Sequence, residues 1–543
     1  MGDKDAEAIA AHIEKTMNNT DDAAERGRLI QEQERQLSIW ETIKLHPRAV
    51  LACSVAFAAG TMFGYDQISN GSTIAMPSFL MYFGNVGPTG LYLPSIWTSL
   101  WTSMTSLLQA IGAICIGMIS DRFGRKWPGV IAGIVSIAGT AVIYNAKSRG
   151  ALLAGKMVCG LALGAGMAIG TSYASEVAPF RLRIPIQTTL VLFIVFMQGV
   201  ALGVVRIFVP NMDEKAFRNV FAIQWAVGGI FAIACLLAPE YDFLSHNALF
   251  RYLPFRSPIF LINTGRVDEA KKVIQKLYSS NFSIDDRIAY LVKTISEEQE
   301  QERISAGSYL DCFKGTNLKR TLTVMFLYST ANLGGAAFLS QSIYFLLTLG
   351  LPSVHIFDIS IGGFGLAIII IVLTGIIGKF VTRRRMLLAG CLINLAFLVV
   401  IGCLYYAPGM GPAWAIAVLM NVLISFQTSL MQAVGWPIAA EISSYRLRVK
   451  SLSIGVFAQT LSTWITTFTV PYMYNVDSGN LGARTAFPFA GITVLLIAGA
   501  YLLVPDTTGL STEEIDRLYE DKVPVRKFRK YVPQGREEKI LAT

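Results

Sequence analysis

The feature that most constrains this chain is a series of apolar runs of about 18 to 25 residues, the length at which a helix crosses ~30 Å of hydrocarbon. They fall near residues 49–69, 96–119, 127–145, 151–172, 186–207 and 219–238. After a polar interval they resume near 320–349, 355–378, 385–406, 412–439, 451–473 and 485–505. In lipid a backbone must satisfy its own polar groups, and a segment of this length does so as a helix. The expected fold is therefore an all-α membrane protein of twelve transmembrane helices in two six-helix bundles, joined by short linker helices. Composition agrees: 53% of the 543 residues are apolar and 15% charged, too little charge to solvate a soluble fold of this size.

The implied organisation is a tail over 1–48, a bundle over 49–238, a polar linker over 239–319, a second bundle over 320–505 and a tail over 506–543. The first tail is polar to about Pro47 and lacks the apolar core of a cleavable signal peptide, so the first span must target the chain. An even number of crossings puts both tails on one side. The loops after spans two, four, eight and ten carry Arg122, Arg125 and Lys126; Arg181 and Arg183; Lys379 and Arg383 to Arg385; and Arg446, Arg448 and Lys450. Those at about 70–95, 350–354 and 407–411 carry no Lys or Arg. Basic loops face the cytoplasm, so both tails and the linker are expected there. The net charge of +9 is spread over these loops and tails, which argues for membrane orientation and against nucleic acid.

Neither a metal site nor a catalytic centre is expected. The seven cysteines show no C-x-x-C spacing, and His12, His46, His246 and His355 lie near no cysteine, phosphate loop or activated serine. No cofactor is implied, and an enzyme reading fails on this inventory.

An internal repeat points to transport. Glu176-Val177-Ala178-Pro179-Phe180-Arg181-Leu182-Arg183 follows span four, and Glu441-Ile442-Ser443-Ser444-Tyr445-Arg446-Leu447-Arg448 follows span ten. Two duplicated halves enclose a cavity that rocking exposes to alternate sides. Glu176, Arg183, Glu441 and Arg448 are candidate gate residues that pair when the cytoplasmic face closes; topology-setting charge is the alternative.

The loop after span two reads Gly117-Met118-Ile119-Ser120-Asp121-Arg122-Phe123-Gly124-Arg125-Lys126, similar to the signature of the major facilitator superfamily. In it Gly117 would permit close helix approach, Gly124 a tight turn, and Asp121 would hold Arg125 or a neighbouring helix end; with Arg122 these join the candidate cytoplasmic gate. Four further runs resemble the sugar porter family, closest in look to fungal alpha-glucoside and hexose proton symporters: Phe63-Gly64-Tyr65-Asp66, Pro239-Glu240, Ser257-Pro258 before Leu261 to Arg266, and Pro505-Asp506-Thr507-Thr508-Gly509. With the two repeat loops, these matches span about residues 40 to 520. In the family a P-E-S-P run joins span six to the linker, but here residues 241–256 intervene; deleting these sixteen restores it, as a retained intron would require.

An ionised carboxylate at mid-span costs ~2.5–3.5 kcal/mol on insertion scales, so Asp66 needs a reason. The resemblance supplies one, since Asp66 matches the acid that proton-symporting sugar porters protonate; the plain alternative is an Asp hydrogen-bonded at a helix end. The Arg that those symporters place in span four is Lys156 here, which leaves coupling retained, retuned or lost. By the same resemblance Gln198, Trp436 and Gln459 fall on sugar-contacting positions, while the paired glutamines of span seven become Ala331 and Asn332, that of span five becomes Val191, and Gln432-Ala433 replaces a Gly-Pro. Asn332 and Gln341 are candidate substitutes. For each, helix packing is the alternative.

The resemblance implies a secondary transporter of a sugar or sugar-like polar solute, coupled to protons by alternating access, monomeric and in the plasma membrane. An exporter or facilitator of a non-sugar metabolite is the rival, and a transporter-like nutrient sensor, which usually carries a longer tail than the 38 residues after Pro505, a weaker one.

Overall fold

The computed structural model describes residues 39–87, 90–123, 125–179, 182–237, 309–378, 380–444, 447–507, 512–521 and 523–530, together with 26, 271, 285, 286 and 288–293. The insertion at 241–256 and most of the 239–319 linker lie outside these residues. Twelve long helices are present among them. The first six are α1 (Ser54–Ser72), α2 (Ser95–Phe123), α3 (Lys126–Tyr144), α4 (Arg149–Val177), α5 (Arg183–Phe208) and α6 (Glu214–Leu237). The second six are α7 (Gly315–Ser340), α8 (Ser353–Ile377), α9 (Arg383–Leu404), α10 (Met410–Ile442), α11 (Arg448–Tyr474) and α12 (Ala486–Leu503). A short helix α13 (Thr512–Glu520) follows. Between α1 and α2 the chain makes a short helix, Pro77–Phe83, and an antiparallel hairpin of β1 (Asn85–Gly87) and β2 (Gly90–Tyr92).

Eleven of the twelve are apolar enough throughout to cross a bilayer on composition alone. The twelfth, α11, is rich in threonine, and the backbone absorbs that polarity. Thr460, Thr463, Thr466, Thr467 and Thr469 each donate to the carbonyl four residues back, at 2.7–3.0 Å, so these hydroxyls do not enter lipid unpaired.

The helices pack as two bundles, α1–α6 and α7–α12, that meet along α2 with α11 and α5 with α8. Within the first bundle, small residues let backbones approach closely. A Cβ on Gly112 or Gly164 of one partner would strike the Leu161 or Gln109 carbonyl of the other, so α2 and α4 touch backbone to backbone. Gly117 corrects one expectation, because a Cβ there would meet open space and it brings no helix close.

Two spans are not regular. Both α7 and α10 contain a π-helical turn, Asn332–Ala336 and Gln427–Gln432, and Gly335 takes φ +102°, which only glycine adopts freely. The carbonyl of Gly334, at the π turn, is held from outside: Asn394 Nδ2 donates to it at 3.0 Å and Gln427 Nε2 at 3.1 Å, while Asn394 also donates to Thr493 at 3.0 Å. These three side chains are buried, so α9, α10 and α12 all hold the bend in α7. Past Ser340 the chain turns at Gln341 and resumes as Ser342–Thr348, where the sequence reads as one uninterrupted span.

Candidate functional site

The side of the membrane that carries Arg125, Lys126, Arg383, Arg384, Arg385 and Lys450 is called here the basic face. Among the described residues, a set of hydrogen bonds and an ion pair join the bundles on the opposite face. Asp477, just past α11, accepts the Ser95 N–H at 2.8 Å and the Ser95 hydroxyl; Asn475 Nδ2 donates to the Leu93 carbonyl at 3.1 Å, the Leu93 N–H to the Tyr344 hydroxyl at 2.9 Å, and Ser99 Oγ to the Phe468 carbonyl at 2.7 Å. Between α5 and α8, Arg206 Nε meets Asp358 Oδ1 at 2.8 Å. The opposite face is therefore shut in this structure.

Just inside that seal lies a cavity between the bundles, lined in part by Thr98 and Thr102 of α2, Ser340 and Gln341 beside the α7 break, and Tyr344 and Tyr474. Gln341 accepts from the Tyr474 hydroxyl at 3.2 Å, and its Nε2 is buried with no partner. Such a donor is costly to leave unmet in a dry site, and it suits a ligand with acceptor oxygens.

Beside the cavity, in the first bundle, sits a buried polar array. Asp66, two turns before the end of α1, is 5% exposed, and Lys156 of α4 is fully buried. Among the described residues the two make no direct ion pair; Asn70 stands between them. Its Nδ2 donates to Asp66 Oδ2 at 2.7 Å, and its main-chain carbonyl accepts Lys156 Nζ at 2.8 Å. Lys156 also lies 5.8 Å from the centre of the Trp101 ring. Gln224 of α6 donates to Ser69 Oγ of α1 at 2.8 Å and accepts from Thr140 of α3 at 3.4 Å. Side chains of four helices of one bundle thus gather in one buried polar region. Asp66 is not at a helix end near the surface, the alternative its position in the sequence left open.

The other expected binding residues are dispersed. Asn332 is occupied by packing, its Nδ2 donating to the Gln459 carbonyl at 3.3 Å and Ser462 Oγ at 3.4 Å. Trp436 is 40% exposed and stacks on Tyr328, ring centres 6.0 Å apart. Gln198 on α5 and Gln459 on α11 are partly exposed. At the basic face Glu441 pairs with Arg383 of α9 in its own bundle, a partner that the repeat did not single out. Arg125 donates to the Ser120 carbonyl at 2.6 Å, and Arg448 opens α11, half-buried. The side chains of Asp121, Arg122, Glu176 and Arg183, and Gly124 as a whole, lie outside the described residues. Asn70, Gln224 and Thr140 were not anticipated; only Asn70, one helical turn from Asp66, left a usable signal in the sequence.

Comparison with known proteins places this geometry. Residues 52–519 match the family described as Sugar (and other) transporter. The chain is 41% identical over 507 residues to the MFS transporter fmqE of Aspergillus fumigatus, covering 91% of this chain and 92% of that one. It is 26% identical to the general alpha-glucoside permease of Saccharomyces cerevisiae, over 97% of this chain and 83% of the permease. Among solved structures it is similar in fold to the inward-open xylose transporter XylE of E. coli, with a TM-score of 0.66 at 18% identity, covering 86% of this chain and 98% of that one.

Proposed function

We propose, since this chain belongs to the sugar transporter family of the major facilitator superfamily, that it carries a sugar or sugar-like polar solute across a membrane together with a proton, by alternating access. The observation that carries this reading is the Asp66 array, a buried carboxylate and a buried lysine joined through one residue, Asn70, beside an inter-bundle cavity. A charge so placed is costly unless it does something, and protonation from one side followed by release to the other is what it can do. Asp66 is the proton carrier and Lys156 its counter-charge. The solute binds between the bundles, with Gln341 offering its Nε2 and Gln198, Trp436 and Gln459 meeting it elsewhere along the path.

The basic face is cytoplasmic, by the asymmetry of its Lys and Arg, with both termini there and the chain monomeric in the plasma membrane. Gly117, Asp121, Arg122, Gly124, Arg125, Glu176, Arg183, Glu441 and Arg448 form the gate on that side.

One observation favours a second reading, an exporter or facilitator of a non-sugar metabolite. The glutamines that the resemblance expects are Ala331 and Val191 here, and the relative at 41% identity is named for no sugar, whereas the permease at 26% is. The test is an uptake panel of labelled glucose, xylose and maltose at two pH values, in cells without their own carriers. Accumulation by the wild type and its loss in Asp66→Asn support symport. Equal accumulation by Asp66→Asn refutes the coupling role, and no entry of any sugar favours the metabolite reading.

A further inference from the structure

We propose that Asn70 is a positioning residue whose side-chain amide turns to stay hydrogen-bonded to Asp66 in both of its protonation states, while its main chain holds Lys156. The inference rests on the symport reading above and adds to it the element that links acid and cation. Three observations carry it. Asn70 is 7% exposed and lies one turn beyond Asp66, so its side chain reaches the carboxylate along the same helix face. Its main-chain carbonyl holds Lys156 in the last turn of α1, where carbonyls project from the helix and a cation is favourable. Its side-chain Oδ1 is buried and has no partner.

The third observation gives the amide two settings. An ionised Asp66 can only accept, and Asn70 Nδ2 meets it as a donor at 2.7 Å. When hydronium gives its proton to Oδ2 of the carboxylate, one O–H bond breaks in hydronium, one forms on Asp66, water is left, and Asp66 has a hydrogen to give at the oxygen that Asn70 faces. A fixed donor opposite that oxygen would then be mismatched. Half a turn about the last side-chain bond brings Oδ1 to Asp66 as acceptor, and that oxygen gives up no other hydrogen bond in turning. Asn70 therefore serves both states with one side chain. Leucine has nearly the same shape and can do neither.

The titratable groups around Asp66 are Lys156 and Cys159 on α4 and Tyr65 on α1. Neither α5 between Ile184 and Val205 nor α6 between Asn219 and Ala234 carries one, so a titration of the array can be assigned.

The experiment is infrared difference spectroscopy of the full-length purified protein during a pH titration, which needs no substrate. The carboxylic-acid carbonyl band that disappears in Asp66→Asn belongs to Asp66. In Asn70→Leu this band is expected at higher frequency, having lost its hydrogen bond, with its midpoint displaced by about one pH unit, a tenfold change in proton affinity. Asn70→Ser, whose hydroxyl can both donate and accept, is expected to restore much of both, and it decides the matter alone if the leucine variant fails to fold. An Asn70→Leu band at wild-type frequency and midpoint overturns the inference and leaves the symport reading standing. If Asp66→Asn removes no titrating band, both are overturned.

Discussion

Replacing Asp477 by alanine should open the sealed face. Asp477 belongs to the second bundle, yet it caps the first turn of α2 in the first, accepting both the N–H and the hydroxyl of Ser95. The residue before Ser95 is Pro94, which has no side-chain acceptor, so α2 takes its cap from the other bundle. Losing such a cap costs ~1 kcal/mol within a range of about 0.5–2, and a carboxylate at a helix N-terminus adds ~0.3–1 kcal/mol when exposed. Asp477 is exposed, so the low end applies and the sum is ~1 kcal/mol. All of it falls on the shut state, because in the parted state water satisfies Ser95 whatever residue is at 477. The ratio of shut to open should fall about fivefold. The assay is labelling of a Ser340→Cys reporter, in the cavity under the seal, with an impermeant maleimide applied outside intact cells after Cys403→Ser removes the exposed native thiol. The labelling rate follows the open fraction, so Asp477→Ala should label about five times faster. Asp477→Asn, which keeps an acceptor for the cap but not the charge, should label at a rate between that and wild type. An unchanged rate in Asp477→Ala refutes the argument.

Two further outcomes follow from the second bundle. Gly335→Ala forces a side chain into φ +102° with its Cβ 3.3 Å from the Phe489 ring, a strain of ~1–3 kcal/mol, and should lower the unfolding temperature in detergent; an unchanged melt would mean that the π turn relaxes freely. At the basic end of α7, Arg320 pairs with Asp516 and lies 4.5 Å from the Tyr519 ring centre, clasping α13, which follows the last span. Burial holds the Tyr519 phenol well above the usual tyrosine range, offset in part by Arg320. A buried phenol must stay neutral, so docking of α13 is at full strength below the unfolded value near pH 10 and weakens as pH rises from there toward the folded value. Trypsin cleavage after Arg517 should therefore accelerate above about pH 10 and should already be fast at pH 8 in Arg320→Met; cleavage indifferent to both changes would rule out the clasp.

Much of this architecture was legible because lipid permits so few solutions. The length of each apolar run and the alternation of basic loops were enough to place twelve helices and divide them six and six. Local geometry was less legible. The π turns in α7 and α10 depend on contacts from Asn394, Gln427 and Thr493 on three other helices, and only Gly334-Gly335 hints at them. Gly117 looked like a packing glycine because glycine in a span usually is one, but no helix lies against it. Asp66 stood out as an acid within a span, and Lys156 as a substituted cation. That one asparagine bridges them is a matter of tertiary placement across 86 residues of chain. Asn332, singled out as a polar residue facing a pathway, is instead spent on α11, and position alone cannot separate those two uses.

The two halves, alike in their E-x-x-x-x-R-x-R loops, have diverged in what they bury, and that divergence bears on how the carrier works. The residue 265 positions beyond Asp66 is Ala331, and the one 265 beyond Lys156 is Asn421; the second half holds no equivalent buried pair of charges at these places. It has π turns and a neutral amide cluster there instead, with the first π turn starting at the next residue after Ala331. A buried charge array favours a rigid setting, since any movement that breaks one contact leaves a charge unmet in low dielectric. A helix already off its regular ladder, held by neutral side chains, loses far less when it bends. The first bundle is thus suited to hold and release a proton without changing shape, and α7 of the second to flex over the solute. On the proposed reading a proton would govern transport through the surfaces where the bundles meet, which are α2 with α11 and α5 with α8, and among the described residues polar links across those surfaces are found at the sealed face.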